Sequence, residues 1–259
     1  MNYKHYIFSI IFGSTFLTQA ATAQTVADEI EKQPVDETKK PSSHLPSTWK
    51  PEAELGFVKT TGNTDTESLN FKFAIENIRP DWKNKIKAES SRNSDKDVTT
   101  AERYFALFKT QYNVSQKGYY FARIQYEDDR FSGFNYQASE VVGYGRKLIN
   151  NPVLELNTEF GVGVRQNDFE DGTNNTESIY LLAADMDWKI SGSASLSEEL
   201  SVETGDDRTI SKSITALKTK INHSLSSKIS YTIKRSSDVP VGTEKTDTEL
   251  AVTLVYAFK

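Results

Sequence analysis

Apolar side chains recur at every second position along this chain, and that period limits what it can fold into more than any other feature. From Leu69 to Glu76 the apolar set is Leu69, Phe71, Phe73 and Ile75, while Asn70, Lys72, Ala74 and Glu76 form the alternate set. From Leu154 to Arg165 one side carries Leu154, Leu156, Thr158, Phe160, Val162 and Val164, and the other carries Glu155, Asn157, Glu159, Gly161, Gly163 and Arg165. Near the C-terminus Leu250, Val252, Leu254, Tyr256 and Phe258 repeat the pattern. A helix groups residues three and four apart, whereas a strand sends successive side chains to opposite faces, so these stripes specify a two-faced sheet. Less regular segments complete a set of strands near 52–61, 66–77, 82–92, 102–113, 118–128, 136–148, 152–165, 176–189, 194–204, 208–221, 226–236 and 246–258. That is about twelve, an even number, at a spacing that suits strands of about 9–11 residues.

The connections carry a second signal. Those at 78–81, 114–117, 149–151, 190–193 and 222–225 are short. Those at 93–101, 129–135, 166–175 and 237–245 are longer and richer in acids, with the first and ninth connections as short exceptions. Short turns on one side and longer loops on the other are the topology of a bacterial outer-membrane barrel. The final strand ends Tyr256-Ala257-Phe258-Lys259, which resembles the C-terminal signal read by barrel-assembly machinery, although that signal usually stops at the aromatic.

The N-terminus has the three parts of a secretory signal: Lys4, an apolar core from Tyr6 to Leu17, and Ala21-Thr22-Ala23 before a cleavage point. The expected mature chain begins at Gln24, and residues 24–50, with Pro34, Pro41 and Pro46, read as a flexible periplasmic lead-in to a barrel over 51–259. An uncleaved anchor helix is the alternative. No Cys is present, so disulfides, thiolate metal sites, Cys nucleophiles and a lipoprotein anchor are excluded. A formal net charge of −5 argues against a nucleic-acid partner.

Alternation alone does not say which face meets lipid. Charges of both signs lie deep within the strands, which suits a hydrated lumen. The candidate lumen-facing charges are Lys72, Glu76, Lys85, Lys87, Arg123, Glu127, Glu155, Glu159 and Arg165. Trp82, Tyr104, Tyr112, Tyr120, Tyr126, Tyr144, Trp188 and Tyr256 fall near strand ends, where a ring can sit between hydrocarbon and water. A secreted β-sandwich with a solvated charged face is the soluble alternative.

Thr61-Gly62-Asn63-Thr64-Asp65, Asp128-Asp129-Arg130-Phe131-Ser132-Gly133-Phe134 and Glu159-Phe160-Gly161-Val162-Gly163-Val164-Arg165 resemble, in order and spacing, the YdiY-like family of salt-induced outer membrane proteins (domain of unknown function number 481). The resemblance covers roughly residue 48 to the end. It implies an outer-membrane barrel of about a dozen strands, and it implies no reaction, ligand or functional residue.

Enzymatic chemistry finds little support. Barrel lipid hydrolases use a Ser activated by a His on the same strand face. The three His are His5 in the signal, His44 in the lead-in, and His223, which adjoins Ser224 in a turn. Loop acids at Asp95, Asp97, Asp128, Asp129, Asp168, Glu170, Asp171, Asp206 and Asp207 could hold calcium or magnesium, or bridge to lipopolysaccharide phosphates, but read first as solvated loop residues. Gly143 and Gly145 share a face of the sixth strand, and counting back across the hairpin sets Phe121 opposite Gly143 and Tyr119 opposite Gly145. An aromatic lying over a cross-strand Gly is a packing device, although such glycines can also widen a groove for a solute.

The expectation is therefore an all-β transmembrane antiparallel barrel of the outer-membrane type, with no cofactor and Tyr256 and Phe258 as the assembly signal. Its partners would be outer-membrane lipids, lipopolysaccharide and the barrel-assembly machinery. Its role would be a narrow pore or a structural envelope component, with a link to salt stress. A ligand-binding soluble β-domain and a lipid-modifying enzyme are the rivals.

Overall fold

A computed structural model describes residues 47–60, 66–96, 98–240 and 244–258. The stripes become twelve antiparallel strands: β1 (Thr48–Thr60), β2 (Thr66–Ile78), β3 (Trp82–Asp95), β4 (Val98–Asn113), β5 (Gly118–Asp129), β6 (Phe134–Asn150), β7 (Leu154–Phe169), β8 (Asn174–Lys189), β9 (Ala194–Gly205), β10 (Thr209–Lys220), β11 (Leu225–Ser236) and β12 (Thr246–Ala257). Each strand pairs with its sequence neighbours, and β12 returns to β1, so the sheet closes into a barrel. Closure lets backbone N–H and C=O groups pair where lipid offers no water. The closing seam is the shortest ladder. It has four register pairs, from Glu52↔Ala257 to Leu55↔Leu254, against thirteen between β1 and β2. Phe258 adds a backbone N–H donated to the Pro51 carbonyl at 3.0 Å. The signal and almost all of the lead-in lie outside the described residues, and β1 begins at Thr48, slightly before the expected boundary.

The strands run from twelve to seventeen residues, longer than the 9–11 expected. Segments 93–101 and 166–175, read as loops, are mostly strand: residues 96–97 separate β3 from β4, and residues 170–173 separate β7 from β8. The reason is physical. A ladder that has left the hydrocarbon needs no apolar face, so these hairpins continue into water on polar side chains. The β7–β8 hairpin closes with a tight turn in which Gly172 (φ 85°), like Gly133 (φ 78°) between β5 and β6, takes the left-handed backbone that a side chain disfavours.

At the opposite end, one side chain organises each of four turns. The Asn151 carboxamide oxygen accepts the amides of Val153 and Leu154, and Asn222 does the same for Ser224 and Leu225. Ser191 caps Ser193 and Ala194, and Ser115 caps Lys117 and Gly118. Such side-chain caps satisfy the turn amides locally, so connections this short suffice.

Exposure alternates as the stripes require. On β8, Leu181 is fully buried while its neighbour Leu182 is 62% exposed; on β5, Phe121 is 4% exposed and Tyr120 59%. The outward faces carry the large apolar side chains, and rings cluster at both ends of the outer wall. Trp82 tilts onto Tyr112 (4.9 Å) and Tyr120 meets Tyr144 edge-on (5.7 Å) at the turn end, while Tyr126 stacks on Tyr136 (5.6 Å) at the loop end. Glu140 and Glu198 are carboxylates that break the outward pattern. Glu140 is exposed on β6 between Ile124 and Val164 of the flanking strands. Glu198 on β9 accepts the hydroxyls of Ser213 (2.7 Å) and Thr215 (2.5 Å) on β10.

Candidate functional site

The inner wall is a concave surface built by all twelve strands, and ionic side chains fill it. Lys87 on β3 reaches Glu199 on β9, six strands away round the ring, at 2.9 Å. Lys234 on β11 meets Glu127 on β5, again on the opposite wall. Arg103 on β4 donates to Glu249 on β12 at 3.1 Å, Lys109 on β4 to Glu159 on β7 at 2.7 Å, and Lys218 on β10 to Glu52 on β1 at 3.1 Å. Arg123 on β5 pairs with Glu203 on β9, which also lies 3.8 Å from Arg165 on β7. Apart from the Arg165–Glu203 contact, which joins strands two places apart, these contacts join strands three to six places apart and so span the lumen instead of lining it. Held in a partly dehydrated interior, such charges are expensive to leave unpaired, so these cations meet their carboxylates across the gap.

All nine candidate charges lie on this inner face. Lys72 sits 3.9 Å from Glu89 and 4.0 Å from Glu249. Glu76 takes Lys83 at 3.4 Å and Lys85 at 3.6 Å, and Lys85 also lies 3.9 Å from Glu199. Lys87, Arg123, Glu127 and Glu159 hold the crossings described above. Arg165 is almost wholly buried and binds Glu177 at 2.8 Å and the Arg208 carbonyl at 2.7 Å. Glu155 is exposed near the turn end of β7. Tyr256 and Phe258 lie on the outside, edge-on at 4.9 Å.

An apolar cluster on the inner wall was not anticipated. Tyr119, Phe121, Val141, Ile179 and Leu181 pack together with Ala183 across β5 to β8. The glycines make room for it. The register pairs Tyr119 with Gly145 and Phe121 with Gly143, as the hairpin count predicts. A Cβ on Gly145 would come within 2.2 Å of the Tyr119 ring. The ring's hydroxyl then donates to Glu159 at 2.8 Å, tying the apolar cluster to the Lys109 ion pair. The groups left between the walls enclose two small cavities of about 110 and 40 Å³, with Gln125, Ser201 and Lys212 bordering both.

His223 lies exposed in the turn between β10 and β11, away from this interior. Among the described residues no three His, Asp or Glu side chains converge as metal ligands would.

The model of a protein family described as "Protein of unknown function, DUF481" matches residues 53–258. The chain belongs to this family. The chain is also similar to an uncharacterized protein of Escherichia coli strain K12, YdiY, at 26% identity over 203 residues, covering 78% of this chain and 80% of that protein. Among solved structures, the NanC porin superposes with a TM-score of 0.50 at 8% identity, over 82% of this chain and all of that one. The KdgM porin gives 0.43 at 9% identity over 82% of this chain and all of that one. With the NanC superposition, the fold of this chain is a porin-like, all-antiparallel closed barrel. The motif at 61–65 that contributed to the resemblance lies outside the described residues.

Proposed function

We propose that this family member is an exported outer-membrane protein acting as a narrow, weakly ion-selective pore for ions and small hydrophilic solutes. The observation that carries the reading is the set of ion pairs bridging opposite walls, above all Lys87 to Glu199 at 2.9 Å. A barrel crossed by single pairs of side chains has no room for a wide water column, whatever diameter twelve strands allow. Because cations and carboxylates interleave along the path, neither sign of permeating ion is strongly favoured. In this reading the lead-in and short turns face the periplasm, the longer hairpins face outward among lipopolysaccharide, and Tyr256 with Phe258 is read by the assembly machinery. The reading gives the barrel no catalytic role, in line with the place of His223. The link to salt that the family resemblance implies would be one of expression, visible as induction under osmotic upshift.

Planar-bilayer recording tests the pore. The expected wild-type record has small steps and a reversal potential near zero in a potassium chloride gradient. Removing a crossing with Lys87→Ala and Glu199→Ala together should enlarge the steps. Large, strongly anion-selective wild-type steps contradict the reading. Silence in both proteins replaces it with a closed structural barrel.

A further inference from the structure

We infer that the middle of the lumen is a binding site for a small organic carboxylate, with the Lys212 ammonium as the group that takes its charge. The inference deepens the pore reading, and rests on it for how the anion enters.

Lys212 stands out by its missing partner. The other cations around the two cavities all have a carboxylate within ion-pair distance: Lys85, Lys87, Lys109, Arg123, Arg165 and Lys234. Lys212 forms neither an ion pair nor a hydrogen bond among the described residues. Its ladder neighbours are Ser201 on β9 and Lys234 on β11, neither of which is an acid. The nearby carboxylates are engaged elsewhere, Glu127 with Lys234 and Glu89 with Lys72. From β10 the side chain crosses toward β4, six strands away, and its Nζ comes to rest 4.9 Å from the centre of the Phe105 ring.

The charge count around both cavities isolates the same residue. In the larger one, four carboxylates (Glu89, Glu159, Asp185 and Glu199) face Lys85, Lys87, Lys109 and Arg123, and Lys212 is left over. In the smaller one, Glu127 and Glu203 face Lys234 and Arg165, and Lys212 is again left over.

The other unsatisfied groups say what the ligand must bring. Ser139 is 4% exposed, lines the smaller cavity, and its hydroxyl has no partner. Arg165, 2% exposed, leaves Nη1 without a hydrogen bond at the same cavity, and Arg123, 8% exposed, leaves Nε without one at the larger. Ammonium, guanidinium N–H and hydroxyl are all donors. A ligand complementary to them carries a negative charge and several acceptor oxygens, as a carboxylate does, and such charge-assisted hydrogen bonds are the strong ones. The Phe105 ring offers a small apolar surface beside the ammonium. The larger cavity of about 110 Å³ limits the ligand to something near the size of acetate or lactate.

The test uses the folded barrel in detergent micelles, with ¹³C-acetate as the probe and its carboxylate resonance as the readout. Wild type should show saturable broadening. Lys212→Gln should weaken binding by about tenfold, the loss expected for one charge-assisted hydrogen bond. Lys212→Arg should retain it, and Lys228→Gln, whose ammonium is matched by Glu54 at 2.7 Å, should leave it unchanged. A heat-dependent gel shift checks that each variant is folded. No saturable binding by wild type, or undiminished binding by folded Lys212→Gln, overturns the site. If Lys212→Gln does not fold, loss of binding in Lys212→Arg overturns it instead. Competition by chloride as strong as by acetate overturns the carboxylate assignment. Acetate binding without conductance removes the pore and leaves the site; conductance without acetate binding removes the site and leaves the pore.

Discussion

Replacing Gly145 by Ala adds one methyl group at a point where the inner wall has no space for it. The new Cβ would lie 2.2 Å from Cζ and 2.3 Å from Cε2 of Tyr119. An ordinary carbon–carbon contact needs roughly 3.5–4.0 Å, so the ring must retreat by more than an ångström. It cannot do so freely. Tyr119 is 2% exposed, and its hydroxyl is tied to Glu159, which also accepts Lys109 at 2.7 Å. Forced overpacking of this kind costs about 1–3 kcal/mol, and a tethered ring places Gly145→Ala toward the upper end. Tyr119→Ala alone should cost about 3 kcal/mol, the low end for a buried aromatic, because the lumen can admit water to the space. In the double variant the clash is gone, so the two effects should fall short of additivity by about 2 kcal/mol. Equilibrium urea unfolding of the refolded barrel in lipid vesicles, followed by tryptophan fluorescence and gel mobility, measures all three. Additivity within about 0.5 kcal/mol would show that ring and glycine are not in contact, and the inward placement of β5 and β6 would fail with it.

Two further outcomes test other parts of the barrel. Glu140→Leu should stabilise the protein by about 1 kcal/mol in vesicles, since it removes an outward carboxylate from between Ile124 and Val164; destabilisation would mean that this face of β6 is not against lipid. Ala53→Cys with Tyr256→Cys should form a disulfide on mild oxidation, because directly opposed residues hold their Cβ atoms about 4.5–5.5 Å apart, and the chain has no other Cys to interfere. Failure of the folded, oxidised protein to cross-link would locate the closing seam elsewhere.

Much of the barrel could be read directly from side-chain order. Strand number, alternation and the pairing of Tyr119 with Gly145 all follow from period two and hairpin counting. Strand ends could not be found the same way. Polar residues continue β7 through Gln166, Asn167 and Asp168, and no apolar stripe marks them once the ladder leaves the hydrocarbon. Residues on β8 hid the inner apolar cluster for the opposite reason. In Ile179-Tyr180-Leu181-Leu182-Ala183-Ala184 both parities are apolar, so alternation does not say that Ile179 and Leu181 turn inward. The site was legible as a list of charges and illegible as a set of partners. Lys87 and Glu199 are 112 residues apart, and only closure of the ring brings them together. For the same reason Lys212, which resembles any other strand lysine in sequence, becomes distinctive only after the other cations around the two cavities have been assigned their acids.

Those partners also determine how the interior responds to change. Filling the lumen with leucine would give a dry plug, whereas ion pairs give a closure that polar solutes can compete for. Each crossing is reversible in principle, because a permeating ion or hydrated solute supplies the same kind of contact that Lys87 now makes with Glu199. The crossings are also unequal. Glu203 serves both Arg123 and Arg165, so removing it strands the Arg123 guanidinium and takes one of two carboxylates from Arg165, which keeps Glu177 at 2.8 Å. Removing Glu249 takes a partner from Arg103, while Lys72 keeps Glu89 at 3.9 Å. Breaking a buried pair by deleting one member costs more than deleting both, so the shared carboxylate is where the interior has least tolerance. The middle of the barrel, where Glu203 and Lys212 border the same cavity, is thus both its most tightly determined region and the one with a cation to spare.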